Sequence, residues 1–119
     1  MSAANEVPAL NTTTFSGTGV VTGSYDASTK MLTYNVTWNG LSGTATLAHF
    51  HGPALSGVIA GVVVPFTLVN NGNSGSASGT YTMKDATQES EFLAGKWYAN
   101  VHTATNGGGE IRGQVSVTQ

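Results

Sequence analysis

Three histidines carry the most distinctive chemistry in this chain of 119 residues. His49 and His51 are separated by one residue in the segment AHFHGPALSG, and His102 follows in WYANVHT. Alternate residues of a β-strand point to the same face, so an H-x-H pair presents two imidazoles whose Cα atoms are about 7 Å apart. A third imidazole from a neighbouring strand completes a set of three nitrogen ligands, which predicts a metal site.

Copper is the ion that we expect at this site, with zinc as the alternative. Imidazole nitrogen binds both, and Cu(II) has the highest affinity in the divalent series. Three protein ligands leave one coordination position for a water molecule, which is typical of reactive sites. Tyr98 is the other candidate for that position. Tyr98, Glu110 and Arg112 are also candidates for side chains that surround the ligands and hydrogen-bond to them.

Short strands must position these histidines. Sixteen glycines separate short apolar runs rich in Val, Thr, Tyr and Trp, and the run MLTYNVTW alternates strictly between apolar and polar residues. The pattern predicts an all-β fold, namely a Greek-key antiparallel β-sandwich or flattened barrel of about seven or eight strands. One short helix is expected over residues 86–94, with Asp85 as its N-cap and Gln88 three residues later.

Three further segments have specific assignments. A strand around Thr14–Tyr25 is expected to form a hairpin with the MLTYNVTW strand. The apolar run Val58–Val69 is expected to be a buried strand, and the polar run Asn70–Gly79 a loop. The whole chain, residues 1–119, is expected to form a single domain.

The same alternation places the three histidines on one side of a sheet. Burying Phe50 turns His49 and His51 to the opposite face. In WYANVHT, the residues Trp97, Ala99 and Val101 make the apolar face, so His102 points away from the core. We therefore predict that all three histidines lie on the outer side of the sheet.

Composition excludes several functional classes. Charged residues make up 8% of the chain, against roughly 25% in an ordinary domain. The four basic residues form no cluster, which argues against a nucleic-acid partner. No apolar run is long enough to span a bilayer, so membrane insertion is not expected. The absence of cysteine excludes disulfides, thiolate metal sites and cysteine nucleophiles.

Four motifs give the sequence a family resemblance. NEVP near the start, AHFHGPA in the middle, and YANVHT and GEIRGQ towards the end occur in the order found in the CHRD (chordin) domain, which the chain resembles from Asn5 to about Val117. The resemblance is to the type found as a single copy in bacterial secreted proteins. It implies a periplasmic or secreted protein, from which a signal peptide has been removed in this sequence.

The histidine pattern is also distantly similar to the copper site of Cu,Zn superoxide dismutase, another Greek-key β-sandwich. In that comparison His49 and His51 match the paired strand ligands, and His102 matches the late strand ligand. The chain lacks a fourth histidine to bridge a zinc ion, and it has no disulfide. Arg112 also lies at a different spacing from the last histidine. These departures argue against dismutase activity more than against a copper site.

Three functions remain in view from the sequence. The first is an extracytoplasmic copper protein for copper handling or redox chemistry, with superoxide or oxygen chemistry if it is an enzyme. The second is a metal-free secreted binding or structural module that recognises a protein or a glycan. The third is a hydrolytic zinc site with Glu110 as its general base. A protein partner and a homodimer both stay open.

Overall fold

The computed structural model describes residues 1–117, and at position 70 it describes the backbone alone. In this part of the chain, eight strands form two four-stranded antiparallel sheets, and one α-helix precedes the seventh strand. A short 3₁₀ turn, Ala3–Asn5, lies near the start. The elements are β1 Thr18–Asp26, β2 Met31–Asn39, β3 Ala45–His51, β4 Val62–Pro65, β5 Leu68–Asn71, β6 Gly75–Thr82, α1 Ala86–Leu93, β7 Trp97–Thr103 and β8 Ile111–Val115.

The connections between the sheets confirm the predicted sandwich. The first sheet has the strand order β1-β2-β6-β5, and the second has β4-β3-β7-β8. Because β2 pairs with β6 and β3 pairs with β7, the chain crosses between the sheets after β2, β4 and β6, as Greek-key connectivity requires. The sheets stay open at their edges within the described residues, so the fold is a sandwich and not a closed barrel.

The core lies between the two sheets and is rich in aromatic rings. The predicted alternation of β2 is confirmed, since every second residue from Leu32 to Trp38 is buried. From the second sheet, Phe50 packs edge-on against Tyr34 with ring centroids 5.2 Å apart. Phe50 is 1% exposed, and full burial of such a side chain contributes about 2–3 kcal/mol. This burial fixes which face of β3 points outwards.

Two sequence assignments were wrong in the middle of the chain. Asn70–Gly79 is not a loop, because it contains the end of β5 and the start of β6, which pair as a hairpin. Ala77 is the fully buried residue that anchors this hairpin, and its small size gave little hydrophobic signal. Val58–Val69 is not one buried strand. It divides at Pro65 into β4 and β5, which are edge strands of opposite sheets.

The first strand and the helix are close to their predicted positions. β1 begins at Thr18 and not near Thr14, because residues 11–15 form a turn closed by the Phe15 N–H donating to the Asn11 carbonyl. The helix α1 ends at Leu93, and Asp85 caps it by accepting a hydrogen bond from the Gln88 N–H at 2.8 Å. Among the described residues, no helix is long and apolar enough to cross a membrane.

Candidate metal centre

The three histidines lie on two neighbouring strands of the second sheet. β3 carries His49 and His51, and β7 carries His102. In the antiparallel register, His49 is opposite Asn100 and His102 is opposite Leu47, so His49 and His102 are diagonal neighbours. Phe50 and its neighbours on β7 fill the core side, and the histidines therefore share the outer face.

The imidazole nitrogens converge on one point. One ring nitrogen from each histidine lies within 4.8 Å of the others. His49 Nδ1 and His102 Nε2 are 3.2 Å apart. Two tetrahedral ligands that each bind an ion at about 2.0 Å are separated by about 3.3 Å, so this pair already has the spacing of metal ligands.

Backbone carbonyls determine which nitrogen of two rings is free. His51 Nδ1 lies 3.0 Å from the Ala60 carbonyl oxygen, and His102 Nδ1 lies 3.0 Å from the Gly107 carbonyl oxygen. A carbonyl can only accept, so each Nδ1 carries the proton and each Nε2 keeps its lone pair. His102 Nε2 then accepts the proton of His49 Nδ1.

His51 Nε2 has no such partner. Within the described residues it is a buried nitrogen without a hydrogen bond. Leaving a buried acceptor unpaired costs about 1–3 kcal/mol, so such an atom calls for an explanation in ligand binding. The donor set that follows is His49 Nδ1, His51 Nε2 and His102 Nε2.

The histidines lie on the outer face, but two of them are covered. His51 is 9% exposed and His102 is 7% exposed, whereas His49 is half-buried. Burial lowers the pKa of all three imidazoles, and for His49 burial together with the neighbouring histidines lowers the pKa to about 4. The rings are therefore neutral at physiological pH, which is the form that binds a metal.

Tyr98 positions both His51 and the loop that covers it. The Tyr98 hydroxyl accepts a hydrogen bond from the Ala60 N–H and donates one to the Ala60 carbonyl, both at 3.1 Å. Its ring stacks on His51 with centroids 4.8 Å apart and planes 3° from parallel. The hydroxyl is thus bonded to the covering loop, and this arrangement favours water over Tyr98 at the fourth position.

Arg112 lies next to Tyr98, one strand farther from the histidines. Its guanidinium carbon is 3.5 Å from the centroid of the Tyr98 ring. Arg112 Nη2 donates to the Leu55 carbonyl at 3.1 Å and to Gln114 Oε1 at 3.2 Å. The Tyr98 ring therefore separates Arg112 from the candidate ligand His51, and Arg112 also contacts the start of the covering loop.

Glu110 is buried in a different set of contacts. Its carboxylate accepts hydrogen bonds from the Ser42 N–H at 2.7 Å, from Thr103 Oγ1 at 2.8 Å and from Asn106 Nδ2 at 3.1 Å, and also from the Ser42 hydroxyl. Burial raises the pKa of Glu110, but these hydrogen bonds outweigh it and hold the pKa below its usual value. The carboxylate joins the β2–β3 connection to the β7–β8 turn, and this turn includes the Gly107 carbonyl that holds His102.

Sequence reasoning missed a buried pair beside the histidines. Asn100, between Tyr98 and His102 on the outer face of β7, donates from Nδ2 to Glu6 Oε2 at 2.6 Å. Both residues are buried, and burial raises the pKa of Glu6 to about 7, although Arg112 and Asn100 act in the opposite direction. The sequence signal that could have indicated this pair is the position of Asn100, which alternates with Tyr98 and His102 and so lies on the same face of β7 as His102.

Sequence reasoning also missed the role of Gly109, which leaves space for the side chains of Glu6 and Asn100. Gly109 has a positive φ of 121°, and a Cβ atom there would lie 2.3 Å from Asn100 Nδ2 and 2.7 Å from Glu6 Oε2. Glycine is therefore required at this position both for its backbone conformation and for the close approach of the two side chains.

Comparison with known proteins identifies the family of this chain. The family model for the CHRD domain matches residues 1–115, which is nearly the whole chain. No curated protein matches the chain, and no solved structure matches it. On the evidence of the family match, this chain belongs to the CHRD domain family.

Proposed function

We propose that this CHRD domain binds one copper ion through His49 Nδ1, His51 Nε2 and His102 Nε2. The observation that carries the proposal is the convergence of one nitrogen from each ring within 4.8 Å. The carbonyl contacts of His51 and His102 support it, because they direct the lone pairs and not the protons towards the shared point.

The donor set favours copper over zinc. All three ligands are neutral nitrogens, and in the divalent series such ligands bind Cu(II) most tightly. Structural zinc sites usually have four protein ligands, whereas this cluster has three in the described residues. The remaining position is open to water or to an exchangeable ligand. Such an exchangeable position suits copper transfer and superoxide or oxygen chemistry.

An extracytoplasmic location is part of the proposal. CHRD domains are typically extracellular, and the family match supports placing this chain in the periplasm or outside the cell.

Copper titration of the metal-free protein, followed by electron paramagnetic resonance, tests the site. We expect one equivalent of Cu(II) with an axial spectrum and nitrogen hyperfine coupling. His49→Gln and His102→Gln should each weaken binding by at least tenfold, as expected when one of three ligands is lost. Lys84→Gln is the control, because it changes an exposed side chain outside the cluster and keeps all three ligands. Absence of one-to-one binding in the parent protein would overturn the proposal.

A second candidate is a metal-free binding module, and one observation favours it. The loop beside His51 exposes Leu55, Val58 and Ile59 to solvent by 53–66%, and the adjoining Val62 by 53%. Contiguous exposed apolar side chains are typical of surfaces that contact a partner. In this case His102→Gln would lower the free energy of unfolding and copper would leave that energy unchanged, whereas a copper site predicts stabilisation by copper in the parent only.

A further inference from the structure

Three side chains from three adjacent strands form a continuous stack. His51 on β3 lies against the Tyr98 ring on β7, and the Arg112 guanidinium on β8 lies over the same ring at 3.5 Å. Because β3 and β8 flank β7 on opposite sides, the imidazole and the guanidinium contact opposite faces of the phenol ring. A single ring, that of Tyr98, therefore separates the proposed copper ligand His51 from the permanent positive charge of Arg112.

This positive charge is buried, and no carboxylate of residues 1–117 is within ion-pair distance of it. Arg112 is 2% exposed, and the hydrogen bonds of its Nη2 go to neutral oxygens. Within residues 1–117, the ion pair closer than 4 Å is that of Lys30 in the β1–β2 turn with Glu89 on α1. Glu6 is the acidic group whose charge acts on Arg112, and it lies beyond ion-pair distance.

A buried cation two ring layers from a metal affects the two copper oxidation states differently. Repulsion grows with the charge of the ion, so Cu(II) is destabilised about twice as much as Cu(I). The effect is strong here because burial removes the screening that water and salt provide at a surface. Stacking also holds the guanidinium at a fixed distance, which a flexible surface lysine would not do.

We propose that Arg112, acting through Tyr98 and His51, sets the oxidation-state preference of the copper site in favour of Cu(I). This inference rests on the proposed copper function and specifies which oxidation state of copper the site prefers. Arg112 is a positioning and charge-setting residue and not a ligand. Bound Cu(I) carries one positive charge fewer than bound Cu(II), so the guanidinium repels it less and the stack favours Cu(I).

The affinities of Cu(I) and Cu(II) measured by chelator competition at pH 8 test this inference. We expect the ratio of Cu(I) affinity to Cu(II) affinity to be lower in Arg112→Gln than in the parent protein, on the order of tenfold. Coulomb's law predicts an effect of this size for a unit charge at this range in a protein environment. Arg112→Lys keeps the charge and should retain most of the ratio. Lys84→Gln removes an exposed charge elsewhere and is the matched control.

Glu6→Gln gives a second test with the opposite sign. At pH 8 the Glu6 carboxylate is ionised, and replacing it removes a negative charge that acts on Arg112. The affinity ratio should therefore rise. This variant keeps the inference testable if Arg112→Gln does not fold.

The outcomes separate this inference from the function on which it rests. One-to-one binding of both ions with an unchanged ratio in Arg112→Gln overturns the role of Arg112 and leaves the copper site in place. An equal fall in Arg112→Lys and Arg112→Gln also overturns it, because the charge is then not the cause. Failure of both ions to bind the parent protein overturns the copper site and this inference together.

Discussion

Asn100 Nδ2 lies 2.6 Å from Glu6 Oε2, and this buried hydrogen bond joins the start of the chain to the middle of β7. The two residues are 94 positions apart in the sequence, so the contact holds the N-terminal segment against the outer face of the second sheet. Burial destabilises the ionised form of the Glu6 carboxylate and raises its pKa to about 7.

Glu6→Gln should stabilise the protein at alkaline pH. The folded pKa of about 7 is above the ordinary value of 4.5, so the folded protein binds more protons than the unfolded chain between these values, and stability falls as the pH rises through 7. Glutamine keeps an oxygen that can accept from Asn100. We expect the free energy of unfolding to rise by about 1–3 kcal/mol at pH 8 and to change little at pH 4.5. Urea unfolding at both pH values measures this, and an equal effect at both would contradict it.

Glu110→Gln should destabilise the fold without removing the proposed copper site. The carboxylate accepts hydrogen bonds from Ser42, Thr103 and Asn106, and a neutral amide cannot accept from all of them. We expect a loss of about 1–3 kcal/mol in the free energy of unfolding. Copper stoichiometry measured below the unfolding transition should stay at one. A folded variant without copper binding would contradict this prediction.

His49 should titrate far below the usual range for histidine. Burial and the neighbouring histidines lower its pKa to about 4, against 6.5 in an unfolded chain. The unfolded chain therefore binds more protons below pH 6.5, and the metal-free protein should lose stability as the pH falls from 6.5 towards 4. Nuclear magnetic resonance of the imidazole Cε1–H signals between pH 8 and 3.5 gives the pKa directly. A midpoint near 6.5 for His49 would contradict the buried geometry.

The helix cap can be tested independently of the metal. Asp85→Ala removes the acceptor of the Gln88 N–H, and it should lower the free energy of unfolding by about 1 kcal/mol. Thr87→Ala, at an exposed position of the same helix, is the control and should not lower it. Thermal or urea unfolding distinguishes them, and equal stability of Asp85→Ala and the parent would mean that the cap contributes nothing.

The sequence predicts the faces of long strands well, because alternation has a direct physical cause. Leu32 to Trp38 and the pair formed by Phe50 and His51 were assigned correctly to inner and outer faces, since burial of large apolar side chains decides each orientation. The hairpin of β5 and β6 was missed, because an edge strand with small and polar residues lacks that signal. Ala77 is its fully buried residue, and Leu68 and Tyr81 pack against the core only partly buried.

The surroundings of the histidines could not be predicted in the same way. The carbonyls of Ala60 and Gly107 come from loops, and any residue type supplies a carbonyl. Their positions depend on contacts made by Tyr98 and Glu110 that are distant in sequence. Residue types therefore predicted the candidate ligands, whereas burial and tautomer follow only from the folded chain.

The hydrogen bond from His49 to His102 has a consequence for the heat of copper binding. To bind an ion, His49 Nδ1 must give up the proton that it shares with His102 Nε2, and the same ring can carry that proton on Nε2 instead. The imidazole changes tautomer by exchange with water, with no net release of a proton to the solvent. Copper uptake at neutral pH should therefore exchange no protons with the medium, and its calorimetric enthalpy should be the same in buffers of different ionisation enthalpy.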